Sequence, residues 1–191
     1  MKTGLFFGSF NPIHVGHLVI AEYIATNTNL KEVWFVVSPH NPLKKKETLL
    51  ANHHRLAMVK LAVEHNPKLK ASDVEFAMPQ PSYTINTIIH LNEKYPTKEF
   101  ALIMGSDNLQ SFTKWKNYEE LLNRCSLYVY PRPGFDGGEL KIHPKVVWVD
   151  APQMEISATY IRQAVHEGKS ARYMLTDAVF NYLTEMNFYK K

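Results

Sequence analysis

Short continuous apolar runs recur along this chain, each followed by a longer stretch with helical periodicity. That alternation narrows the possible folds more than any other property of the sequence. Leu5-Phe6-Phe7, Val33-Trp34-Phe35-Val36-Val37, Phe100-Ala101-Leu102-Ile103-Met104, Leu127-Tyr128-Val129-Tyr130 and Val146-Val147-Trp148-Val149 read as strands, and Val74-Glu75-Phe76 as a shorter one. Apolar residues at consecutive positions leave no polar face, the pattern of a strand covered on both sides. Between the runs, residues 18–24, 50–63, 84–95 and 118–125 read as helices, and 157–167 and 176–186 close the chain as two more. Strands alternating with helices specify an α/β fold, a Rossmann-like parallel sheet with helices on both faces. Ligands in such folds sit beyond the carboxyl ends of the strands. Gly8, Ser38, Gly105 and Pro131 all follow directly on expected strands.

The 191 residues favour one domain, residues 1–191, with its C-terminal helices from about 157 to 187. No internal repeat, low-complexity tract or long linker divides the chain. No apolar run approaches the length of a membrane span, and the apolar stretch near Met1 is too short for a secretory signal. The single cysteine, Cys125, excludes an internal disulfide and fits a reducing cytoplasm. It reads as a small buried hydrophobe, since no nucleophile signature surrounds it. The net charge of +4 suits anionic substrates without requiring them. The longest basic run, Lys44-Lys45-Lys46, is short for a nucleic-acid patch, and no nucleic-acid-binding motif accompanies it.

Two segments carry chemistry. In Gly8-Ser9-Phe10-Asn11-Pro12-Ile13-His14-Val15-Gly16-His17, a strand passes through a tight turn into a helix. The free backbone N–H groups and the dipole of a helix start favour an anion. Two imidazoles stand at the same mouth, and Gly16 between them lets a ligand approach the backbone. Two histidines at a helix start also occur as ordinary polar residues. Zinc ligation is disfavoured by the absence of an HExxH or CxxC pairing. The second segment is Ile156-Ser157-Ala158-Thr159-Tyr160-Ile161-Arg162, in which Ser157 is a good N-cap. Arg162, about one turn on, presents a guanidinium that matches phosphate oxygens. By itself, a capped helix with an exposed arginine is common.

Together the two segments are far more specific. The N-terminal His-x-Gly-His resembles the signature of the nucleotidyltransferase superfamily, and its pairing with Ile-Ser-x-Thr-x-x-Arg resembles the small adenylyltransferases. Further matches are similar to bacterial nicotinate mononucleotide adenylyltransferases: Ser82-Tyr83-Thr84-Ile85-Asn86-Thr87, Gly105-Ser106-Asp107-Asn108, Trp115, and Arg132-Pro133-Gly134. They run in order from Gly8 to Arg162. Asn86 stands where that family usually has Asp, and Ala158 where it more often has Ser. Class I aminoacyl-tRNA synthetases share His-x-Gly-His, but this chain leaves no room for their tRNA-binding parts. Kinases of the P-loop type need GxxxxGK[ST], which is absent.

The resemblance implies transfer of the adenylyl group of ATP to nicotinic acid mononucleotide, releasing pyrophosphate. Adenylyl or cytidylyl transfer to another phosphate acceptor, such as phosphopantetheine, is the nearest alternative, and a non-catalytic nucleotide- or RNA-binding module a more distant one. The resemblance implies that His14, His17 and Arg162 are catalytic, the histidines on the ATP phosphates with His17 nearest the α-phosphate and Arg162 on the β- and γ-phosphates. It assigns Gly8, Ser9, Phe10, Asn11, Gly16, Gly105, Asp107, Ile156, Ser157 and Thr159 to ATP. Asp107 would accept from ribose hydroxyls, and it reads equally as a helix N-cap. Tyr83, Thr84, Trp115, Lys44 and Arg132 fall to the acceptor. Magnesium would arrive with the triphosphate and need no ligand from a protein side chain. Neither a nucleic acid nor a membrane partner is expected, and a homo-oligomer stays open.

Overall fold

A computed structural model describes residues 1–39 and 49–190. The elements are β1 (Lys2–Gly8), α1 (Val15–Asn27), β2 (Glu32–Val37), α2 (Asn52–Val63), β3 (Leu69–Ser72), α3 (Thr84–Lys94), β4 (Glu99–Gly105), α4 (Ser106–Gln110), α5 (Tyr118–Arg124), β5 (Ser126–Tyr130), β6 (Val146–Trp148), α6 (Ala158–His166) and α7 (Asp177–Glu185). The strands form one sheet in the order β3-β2-β1-β4-β5-β6, with every pairing parallel. Phe6 of β1 lies opposite Phe35 of β2 on one side and Ile103 of β4 on the other. The chain therefore winds outward in both directions from β1. The loops after β1 and β4 part there and leave a crevice over the carboxyl edge.

Strand alternation builds two cores. Phe6, Val33, Phe35, Val37, Ile103 and Tyr128 face one layer, where they meet Ile20 and Ile24 of α1, Met58 and Val59 of α2, Ile161 of α6, and Val179 and Leu183 of α7. Leu5, Val36, Leu102, Met104, Leu127 and Val129 face the other, against Ile88 and Leu91 of α3, Phe112, and Leu121 of α5. Successive side chains point to opposite faces of a strand, so an unbroken apolar run is what a two-sided sheet requires. Ser157 caps α6 by accepting the Tyr160 N–H at 3.1 Å, and Thr176 caps α7 by accepting that of Val179 at 3.3 Å.

One expected strand is wrong. Val74–Ala77 forms a 3₁₀ turn, and the strand lies just before it, at Leu69–Ser72. Val74 and Phe76 are apolar because the turn packs on the cores, with the buried Glu75 between them. The true strand is an edge strand whose only fully buried residue is Leu69, so little apolar pattern was there to read.

Candidate active site

The crevice is built first by the loop between β1 and α1. Phe10 adopts φ +44°, a backbone conformation that bulky residues rarely hold and that costs on the order of 1–3 kcal/mol. Packing offsets the cost. The Phe10 ring is buried, edge-on to Phe6 at 6.1 Å, Phe35 at 5.4 Å and His17 at 5.2 Å. A Cβ on Gly8 would stand 2.8 Å from that ring, so only glycine lets the phenylalanine fold beneath the loop. The part of Phe10 left for a ligand is its backbone; its side chain is core.

His14 ends the loop as the residue capping α1, with extended backbone, and His17 follows in the first turn. Their rings stack at 3.7 Å, 25° from parallel. The His14 backbone N–H donates to Nδ1 of His17 at 3.3 Å. An amide can only donate, so Nδ1 is the unprotonated nitrogen of the neutral ring and the proton sits on Nε2. His17 thereby presents an N–H donor on its far side. His14 is almost wholly buried, and among the described residues its Nδ1 meets no hydrogen-bond partner. Burial, then the nearby Arg132 charge, pushes the His14 pKa down to about 4, so the ring is neutral at physiological pH. Gly16 makes room for it: a Cβ there would come 3.1 Å from Nδ1 of His14 and 3.9 Å from Cβ of Ile156.

Helix α6 closes the same loop. Arg162 donates from Nη1 to the Asn11 carbonyl at 2.8 Å and from Nη2 to Thr159 Oγ1 at 3.2 Å. The two segments singled out in the sequence thus meet. Ser157 and Thr159 each accept one bond through a hydroxyl oxygen, and each hydroxyl keeps a proton to donate.

Across the crevice, Gly105 caps α4, and Asp107 lies in the first turn of that helix. Asp107 is therefore not the N-cap that its place in the sequence suggested. Its Oδ1 stands 3.6 Å from Nε of Arg132, whose guanidinium lies over the Tyr130 ring at 5.6 Å. A Cβ at position 105 would come 2.3 Å from that carboxylate oxygen and 3.0 Å from Arg132. The structure groups Arg132 with Asp107 and His14. Tyr83 precedes α3, whose first residue is Thr84, and is partly exposed; Lys116 lies over its ring at 4.3 Å. That contact joins the Tyr83 turn to the Trp115 loop. Trp115 is half-buried, tilted on Phe112 at 5.0 Å. Lys44 lies outside the described residues.

Two neighbours of the site have no counterpart among the residues its sequence motifs singled out. Arg55 of α2 is fully buried and bonded to the loops after β1 and β2. Its signal was a charge standing in the buried stripe of its helix, with Val59 and Val63. Tyr189, near the C-terminus, donates to Asn11 Oδ1 at 2.6 Å, a contact no local pattern announces. Among the described residues no three His, Cys, Asp or Glu side chains converge as metal ligands, and no helix is long and apolar enough to cross a membrane. Cys125 is buried, and burial pushes its thiol pKa up to about 12.

The family model described as cytidylyltransferase-like matches residues 5–164. A Christiangramia forsetii protein named "probable nicotinate-nucleotide adenylyltransferase" is 54% identical over 99% of this chain and 98% of its own length. A Flavobacterium johnsoniae protein of the same name is 54% identical over the full length of both. Among solved structures, Plasmodium falciparum nicotinic acid mononucleotide adenylyltransferase complexed with NaAD superposes with a TM-score of 0.83, covering 98% of this chain and 97% of that one at 21% identity. At that identity the likeness speaks for the fold. The sequence matches, which span 99–100% of the chain, go further: this protein belongs to the cytidylyltransferase-like family and, within it, to the nicotinate-nucleotide adenylyltransferases.

Proposed function

We propose that this enzyme transfers the adenylyl group of ATP to the 5′-phosphate of nicotinic acid mononucleotide, yielding nicotinic acid adenine dinucleotide and pyrophosphate, a step in making NAD. The observation that carries the reading is the junction of the two phosphate-type segments, where Arg162 bonds to the Asn11 carbonyl. A phosphate oxygen of the mononucleotide attacks the α-phosphorus, and the bond from that phosphorus to the bridging oxygen of pyrophosphate breaks. The attacking phosphate is already largely ionised near pH 7, so the step needs no general base. Catalysis falls to positioning and to stabilisation of charge on the transferring group.

His17 donates from Nε2 to an α-phosphate oxygen, and neutral His14 lines the same wall. The Gly8–Asn11 backbone cradles the phosphates beside Gly16 and Ile156. Ser157, Thr159 and Arg162 hold the β- and γ-phosphates and stabilise pyrophosphate as it leaves. Asp107 accepts from ribose hydroxyls next to Gly105, and Arg132 reaches the acceptor's phosphate from Asp107's side. Tyr83, Thr84 and Trp115 receive the pyridine ring and its carboxylate. Magnesium enters as part of the substrate, since Mg²⁺ binds through phosphate oxygens and water. The imidazole, guanidinium and amide groups of this site suit phosphate oxygens. The buried thiol of Cys125 fits a cytoplasmic setting.

Pyrophosphate release with ATP, Mg²⁺ and a panel of acceptors tests the reading. Nicotinic acid mononucleotide is expected to be used in preference to nicotinamide mononucleotide, and both ahead of phosphopantetheine. A higher kcat/KM with phosphopantetheine, or with CTP as donor, defeats it.

A further inference from the structure

Arg55 has all five of its guanidinium N–H donors engaged, and every acceptor is neutral. Nε donates to the Leu50 carbonyl at 2.9 Å. Nη1 donates to the carbonyls of Ser9 at 2.6 Å and Ser38 at 2.9 Å. Nη2 donates to the Pro39 carbonyl at 3.1 Å and to Oδ1 of Asn52 at 2.7 Å. The residue is 0% exposed. Among the described residues no carboxylate stands within ion-pair distance of it. Among the described residues this buried cation has its hydrogen bonds satisfied and no opposing charge, an unusual thing for a core to hold, because removing a charge from water is costly without a partner ion.

Its place suggests what the charge is for. The Ser9 carbonyl belongs to the loop between β1 and α1. In a trans peptide the N–H points opposite to the preceding C=O. Turning the Ser9 carbonyl inward to Arg55 therefore turns the Phe10 N–H outward, toward the crevice side of the loop. The Ser38 and Pro39 carbonyls begin the neighbouring loop after β2. One side chain thus fixes the backbone at two adjacent strand ends, and it does so with a full positive charge behind the loop that faces phosphate.

We infer that Arg55 is a positioning residue whose buried charge is balanced by the polyphosphate of the bound nucleotide. It never touches the ligand. It orients the loop's amides and supplies a positive potential from a region of low dielectric, where charge acts over longer distances than in water. This inference rests on the reading of the β1–α1 loop as the triphosphate site. It goes beyond that reading by assigning the extra affinity for each added phosphate partly to a residue outside the ligand's contacts.

Calorimetric titration of AMP, ADP and ATP into the acceptor-free protein tests it, because a charge effect scales with ligand charge whereas a loop displaced as a whole does not. In Arg55→Gln, ATP affinity is expected to fall about tenfold or more and AMP affinity by less than about threefold. Arg55→Lys keeps the charge and loses most of the fork. Its ATP-to-AMP affinity ratio is expected to stay within about threefold of wild type, even though its melting temperature falls. Equal losses for AMP and ATP in Arg55→Gln overturn the inference. So does an Arg55→Lys protein whose ratio has collapsed, and that comparison decides alone if Arg55→Gln does not fold. A wild-type protein with no preference for ATP over AMP defeats the reading of the loop itself, and the role of Arg55 with it.

Discussion

Arg162 and Asn11 stand 151 positions apart in the chain and are joined by a 2.8 Å hydrogen bond from guanidinium to backbone carbonyl. The bond fastens the first turns of α6 to the loop that opens α1, so the C-terminal segment completes a site begun at the N-terminus. Asn11 is held a second time through its side chain, which accepts from Tyr189 at 2.6 Å and from the Leu50 N–H at 3.3 Å. The loop between β1 and α1 is thereby anchored by α6, by the chain's C-terminal end and by the segment leading into α2.

Arg162→Ala is expected to weaken ATP binding and to lower kcat by about 10²–10³, the usual cost of removing a donor aimed at developing charge. Arg162→Lys should recover little, because an ammonium cannot span Asn11, Thr159 and a phosphate together. Steady-state kinetics in ATP and a thermal melt check both variants. Wild-type kinetics in a folded Arg162→Ala protein would show that the arginine serves only to tie the loop down.

His17 offers a finer test, since the proposed reaction gives its two nitrogens different tasks. His17→Asn can still accept the His14 N–H near the Nδ1 position but presents no donor at Nε2. His17→Gln reaches the Nε2 position with an amide N–H. His17→Ala and His17→Asn are expected to lose about 10²–10³ in kcat, and His17→Gln to retain more of it. If Asn is the better replacement, the donor role of Nε2 is wrong.

His14 links the site to acid stability. In the folded protein its pKa is held down to about 4, and in the unfolded chain it returns to the ordinary 6.5. Between those values the unfolded chain binds a proton that the folded one refuses. Stability from this group is therefore complete above pH 6.5 and is lost as pH falls toward 4, by roughly 3 kcal/mol. Urea unfolding of wild type and His14→Gln across this range isolates the effect: the wild-type curve should fall more steeply. Parallel curves would mean that His14 titrates normally.

Gly105→Ala isolates the other wall of the crevice. Its φ of −77° suits any residue, so the new methyl group adds no backbone strain. It would stand 2.3 Å from Oδ1 of Asp107 and 3.0 Å from Arg132, and the pair must separate. A rise in KM for ATP of about tenfold is expected, with a stability change under about 1.5 kcal/mol. An unchanged KM would remove Asp107 from the ribose contact.

The parts of this site that were legible in the sequence are those whose chemistry is local. His14, Gly16 and His17 lie within one turn, and Ser157 to Arg162 within the first two turns of α6, so spacing alone placed them on shared surfaces. The buried strands were equally plain, because two-sided burial writes itself as an unbroken apolar run. What stayed hidden depends on tertiary contact. Arg55 stands in the apolar stripe of α2 with Val59 and Val63, but what its charge bonds to is set only when the fold brings the ends of β1 and β2 over it. Leu69–Ser72 becomes a strand only by pairing with β2, its lysine and serine giving no sign of it. Arg132 follows β5 as its motif suggested, yet its neighbours Asp107 and His14 are set by sheet order, which no single segment encodes.

Trp115 is the residue through which the proposed recognition of the acceptor can be tested. Its indole is half-buried, tilted on Phe112, and its loop is pinned beside α3 by Lys116 over the Tyr83 ring. The Tyr83 side of this contact precedes the start of α3, where free backbone N–H groups favour a carboxylate. The first turn of α3 carries no acidic residue. A pyridine ring lying on the indole would set its carboxylate toward those amides, and an amide substituent would leave a donor facing donors. Discrimination between the two mononucleotides is therefore expected to reach about tenfold or more in kcat/KM. Trp115→Ala should raise the KM of the acceptor by about tenfold while leaving that of ATP within about twofold, since stacking on one aromatic face contributes about 1–3 kcal/mol. Trp115→Phe should recover part of the loss. Equal rises in both KM values, together with a large drop in melting temperature, would assign the indole to the core beside Phe112 and leave recognition of the ring to Tyr83.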